Sequence, residues 1–128
     1  MGTVAISLAE IEAAEKVLAR KRLHHFVRLA WNQVESTPFI DNWHVKLYCD
    51  HLEAVYRGEI ENLLWNSPPG TGKSVIEAVF FPAWAWANNP RTRFLFICYG
   101  QELSTRDSVA CRKLIQSDWY QRKWRRRI

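Results

Sequence analysis

What the chain lacks narrows the field before any motif is read. No apolar run approaches the ~18 residues that a membrane-spanning helix requires. Residues 4–9 form a short mixed stretch without the basic flank or cleavage site of a secretory leader. The three cysteines, Cys49, Cys98 and Cys111, form no C-x-x-C pair and leave an odd count. That usage suits a reducing compartment and unpaired thiols, and the expectation is a soluble intracellular protein without a membrane partner. Internal repeats and low-complexity tracts are absent, as is any Ser-His-Asp or Cys-His arrangement. His44, Cys49, Asp50 and His51 share one helical segment but offer no metal-binding face beyond a single pair.

What is present is a 128-residue chain, 48% apolar, with seven tryptophans, enough for one packed domain. The formal charge of +5 is misleading. Arg122, Lys123, Arg125, Arg126 and Arg127 supply five positive charges at the C-terminus, and without them basic and acidic residues balance. A basic pI therefore implies no nucleic-acid-binding face on the body. The tail could touch phosphates, with Trp124 free to stack on a base, or be a solvated charge run.

Ser67-Pro68-Pro69-Gly70-Thr71-Gly72-Lys73-Ser74 follows the apolar Leu63-Leu64-Trp65. This is the layout of a phosphate-binding loop, a strand handing over to a helix through a glycine-rich turn. Gly70 and Gly72 let the backbone curl so that amide hydrogens converge, and the helix start adds its positive end. Lys73 would reach the β- and γ-phosphates of ATP as the catalytic cation. Ser74 would ligate Mg²⁺. The departure from G-x-x-x-x-G-K-[ST] is Ser67 in place of the first glycine.

Around that loop, Ser7-Leu8-Ala9-Glu10 predicts a capping box and a helix to about residue 32, with Leu8, Ile11, Val17, Leu18, Phe26, Leu29 and Ala30 as a loose apolar stripe. Asp41 or Asn42 would cap a second helix ending at Arg57, with Gly58 as its stop and Val45, Tyr48, Leu52 and Val55 facing the core. Residues 63–66 and 94–98 read as buried parallel strands. Helices are expected over 72–88, kinked at Pro82, and over 101–116, with Leu103, Val109, Leu114 and Ile115 apolar. The resulting expectation is an α/β fold: part of a three-layer P-loop NTPase with parallel strands, preceded by two N-terminal helices.

Residues 38–120, with "HLEAVYRGEIENLLWNSPPGTGKS", the "FFPAW" helix, "NPRTRFLF" and "RDS…CRKLI" before "WY", resemble the N-terminal ATPase region of tailed-phage terminase large subunits. The resemblance implies a DNA-packaging motor in a host cytoplasm. ATP and Mg²⁺ are its cofactors, double-stranded DNA its substrate, and a portal protein and small terminase subunit its partners. The full-length family also implies a nuclease and a homo-oligomeric ring. It divides the chain into an N-terminal helical arm (1–37), the ATPase region (38–120) and a basic tail (121–128). Pro69, Gly70, Thr71, Gly72, Lys73 and Ser74 would then hold the phosphates. Trp43 and His44 lie where relatives contact adenine. Arg106 and Asp107 read as a structural ion pair.

The family's next strand, which ends in an Asp and a catalytic Glu, has no counterpart here. Only Glu77, Glu102, Asp107 and Asp118 follow the loop, none at the end of a further apolar strand. The expectation is an incomplete motor that binds ATP without certain turnover, its two strands left without a shared neighbour and the chain prone to instability or self-association. The alternatives are a fragment of another P-loop ATPase, such as a helicase, and a non-enzymatic nucleic-acid-binding remnant.

Overall fold

Ser7 opens the first helix by a reciprocal cap. Its backbone N–H donates to Glu10 Oε2 at 2.8 Å, and Glu10 N–H donates to Ser7 Oγ at 3.2 Å. The computed structural model describes residues 5–68 and 70–125. Among them run α1 (Leu8–Lys21), α2 (Leu23–Val34), α3 (Trp43–Tyr56), α4 (Lys73–Val75), a π-helical segment (Ile76–Phe80), α5 (Phe81–Asn88), α6 (Gln101–Gln116) and α7 (Asp118–Trp124).

The single N-terminal helix expected to residue 32 is two, broken at Arg22, whose backbone is extended. Distant side chains satisfy the groups freed by the break. Leu23 N–H donates to Glu53 Oε1 at 2.6 Å, and Arg20 C=O accepts from Trp84 Nε1 and Asn88 Nδ2, both at 3.0 Å. Glu53 is 1% exposed, and the Arg22 and Arg57 guanidiniums flank it at 3.4 and 3.3 Å. A carboxylate can be buried there because donors surround it.

Helix α2 lies at the centre. Leu23, Phe26, Val27 and Ala30 are fully buried, and the Phe26 ring meets Phe80, Trp119, Tyr120 and Trp124 at centroid distances of 5.7–6.5 Å. Most of the α1 stripe does not reach this core; Leu8, Ile11, Val17 and Leu18 are exposed. In α6, Leu114 and Cys111 are buried, whereas Leu103 and Val109 face outward. Helix α3 ends as read, with Gly58 at φ +79° just beyond its Arg57 cap.

Residues 73–88 form one continuous helical path, α4 through α5, apolar on almost every side and correspondingly buried from Ile76 to Ala87 except at Glu77, Ala78 and Trp86. The sequence predicts a kink at Pro82. The structure accommodates this proline with a widened turn, in which Phe81 N–H donates five residues back to Ile76 C=O directly before the residue that has no N–H.

The expected α/β fold is wrong. Among the described residues there is no strand and no sheet, so the structure is helical and is not a P-loop NTPase fold with parallel strands. The terminase resemblance fails with it, because that family's ATPase region is built on the missing sheet. The physical reason lies in residues 63–66 and 94–98. Among the described residues their backbone groups make no backbone–backbone hydrogen bonds, and a strand exists only by pairing. Burial still alternates along 62–68, with Leu63, Trp65 and Ser67 half-buried and Leu64 exposed, which is the period of an unpaired strand. Leu95 and Ile97 are 85% and 87% exposed, not covered on both faces as the sequence predicts.

Candidate functional site

A glycine turn forms without the sheet. Gly70 and Gly72 both sit in the left-handed region, at φ +82° and +78°, and Gly72 is the residue that caps α4. A Cβ would find space at either position, so the requirement for glycine comes from the backbone conformation. Thr71 is fixed from α3, since Tyr48 Oη donates to Thr71 Oγ1 at 3.3 Å. Thr71 Oγ1 in turn lies 3.2 Å from Pro68 C=O and 3.4 Å from Ser67 Oγ. Pro69, which the sequence also assigns to the loop, lies outside the described residues.

Gly70, Thr71, Gly72, Lys73 and Ser74 line one cavity of about 600 Å³, together with Glu35 and with Arg106, Asp107 and Ala110 of α6. Lys73 forms no ion pair among the described residues. Its charge reaches the Tyr48 phenol, which is held below its ordinary pKa first by hydrogen bonds with Ser67 and Thr71 and then by Lys73. Lys73 itself lines the cavity. Two cations and two carboxylates line the cavity, and Ser74 is exposed within it.

Trp43 and His44 line a second cavity, of about 450 Å³, with Leu47, Tyr48, His51 and residues 63–66. Trp43 is 79% exposed. The rings of Trp43 and His44 are perpendicular at 6.0 Å, and Tyr48 lies 4.8 Å from Trp65. The two cavities share Ser67, Pro68 and Thr71, so the loop is the wall between them. An aromatic chamber thus adjoins one lined by the glycine turn and charged side chains.

A divalent cation fits this site only as a companion of phosphate. Among the described residues no group of three or more His, Cys, Asp or Glu side chains could hold a metal alone. Ser74 lines the cavity and its hydroxyl would be the protein oxygen, since Mg²⁺ commonly binds through one or two protein oxygens plus phosphates and water; Asp107 is already paired with Arg106. Of the four carboxylates after the loop, Asp107 lines this cavity; Glu77, Glu102 and Asp118 do not.

Sequence reasoning overlooked Tyr48 and Trp65 as site residues and gave Arg106 and Asp107 a purely structural role. They do pair, with Arg106 Nε 3.3 Å from Asp107 Oδ1, but on the cavity wall. Their helical face with Ala110 was legible; what that face meets was not. Trp124, read as available to stack on bases, is 1% exposed, and Lys123 is buried between Trp119 and Glu15. Arg126, Arg127 and Ile128 lie outside the described residues. Two of the three thiols are poorly suited to react: burial pushes Cys49 up to about 12, helped by Glu53 and Asp50, and pushes Cys111 up to about 11, while Cys98 is exposed. No described helix is long and apolar enough to cross a membrane. No family model, curated protein or solved structure matches the chain.

Proposed function

We propose that residues 67–74 bind the phosphates of a nucleoside triphosphate such as ATP, accompanied by Mg²⁺, with the base seated beside Trp43 and His44. The observation that carries this reading is the pair of left-handed glycines at the start of a buried helix, with Lys73 and Ser74 lining the cavity they frame. Amide hydrogens converging at a helix start form an anion site, and the lysine adds a full charge. The shared wall of the two cavities supports the placement of the base, since a planar ring can stack on exposed indole.

The proposed activity is binding. Lys73 could stabilise charge on a transferring phosphoryl group, but turnover also needs a group that orients the attacking water, and among the described residues no contact gives that role to Glu35 or to Asp107, which is paired with Arg106. DNA packaging, its viral partners and the ring rested on a resemblance that the helical fold overturns, and they are not carried forward. Titration calorimetry with ATP and Mg²⁺ tests the proposal. Wild-type protein is expected to bind, and Lys73→Ala to weaken binding at least tenfold, the loss of one charged hydrogen bond of about 1.5–3 kcal/mol. Equal affinity in the two proteins would refute it.

A further inference from the structure

Resting on the phosphate reading of the loop, we infer that Arg106 contacts the outermost phosphate and makes the site select triphosphates over diphosphates. Its partner Asp107 occupies the guanidinium in the free protein, and the phosphate displaces it.

The cavity is lined by different elements. Lys73 belongs to the loop–helix junction, whereas Arg106, Asp107 and Ala110 lie on one face of α6, which packs against the Ile76–Phe80 segment. A phosphate seated in the loop is served by amide hydrogens and Lys73. Further phosphates must extend beyond the loop, and the other cation lining the same cavity is Arg106 of α6.

Arg106 is suited to be drawn away. Its side chain is 63% exposed, and its one ion pair runs through Nε to the neighbouring Asp107. Among the described residues its terminal nitrogens make no hydrogen bond. An exposed pair of this kind is weak, while a guanidinium on phosphate makes charge-assisted, often bidentate bonds. The other charged groups on the wall are Glu35 and Lys73. Neither pairs with Arg106, so exchanging Asp107 for phosphate breaks one contact.

The test measures ATP and ADP affinities, each with Mg²⁺, for wild type, Lys73→Ala, Arg106→Gln and Asp107→Asn, with helicity checked by circular dichroism. Arg106→Gln is expected to weaken ATP about tenfold and leave ADP unchanged. Asp107→Asn is expected to strengthen ATP severalfold by releasing the guanidinium. Lys73→Ala is expected to weaken both nucleotides. If Arg106→Gln weakens ATP and ADP alike, or neither, the inference is overturned while the loop reading survives through Lys73. Weaker ATP binding in Asp107→Asn overturns it too, because that result would give the carboxylate to the cation. If wild-type protein binds neither nucleotide, the loop reading falls first and Arg106 with it.

Discussion

Gly72 does two jobs that a larger residue would divide. Its left-handed backbone turns the chain into α4, and it stands directly before Lys73 and Ser74, which line the same cavity. Gly58 shares the conformation, φ +79° against +78°, but stands at the end of α3 away from that cavity. Placing alanine at either position should destabilise the protein by about 1–2 kcal/mol, because the strain of a Cβ in the left-handed region is alike at both. Only Gly72→Ala should also weaken nucleotide binding. Urea unfolding and calorimetry on the two variants check this, and a Gly58→Ala protein with equally poor binding would dissociate the loop from the site.

At the scale of elements, the break between α1 and α2 depends on a residue thirty positions downstream. Glu53 accepts the Leu23 N–H that a continuous helix would have bonded internally. Glu53→Ala should therefore cost about 2–4 kcal/mol, combining an orphaned buried donor with a void. Glu53→Gln should lose less, since its amide oxygen can still accept from Leu23. Denaturant midpoints rank the two, and equal losses would assign the effect to charge instead. This dependence also explains how much of the fold could be read in advance. The Ser7–Glu10 cap, the Gly58 stop of α3 and the span of α6 are local, and the sequence states them. The Arg22 break comes from across the fold and leaves no local mark. Residues 63–66 and 94–98 carry strand-like composition, yet whether a strand forms depends on a neighbour that composition does not reveal. Helix α7 was legible and overlooked. Ser117 accepts from Tyr120 N–H as a cap, and Tyr120 and Trp124 recur at helical spacing, behind the distraction of the basic run. Of the candidate site, the glycine turn and its lysine were legible because they are contiguous. The α6 wall was not, because packing alone brings it there.

For the whole molecule, the unpaired segments set solution behaviour. Leu64, Leu95, Ile97 and Tyr99 are exposed together with backbone that lacks strand partners. Apolar side chains beside open amides and carbonyls promote association. Sedimentation velocity should show an average mass that rises with concentration, and a Leu95→Lys, Ile97→Lys double variant should suppress that rise. A monomer at every concentration, melting in one cooperative transition, would contradict both this expectation and the one drawn from the sequence.

The uneven exposure of the tryptophans has an optical consequence. Trp84 and Trp124 are shielded by the core, whereas Trp43 stands in solvent at the mouth of the chamber beside the glycine turn. A collisional quencher added to the native protein therefore meets Trp43 far more readily than those two indoles. The molecule carries its own reporter dye at the place where a base would dock, without any label being attached.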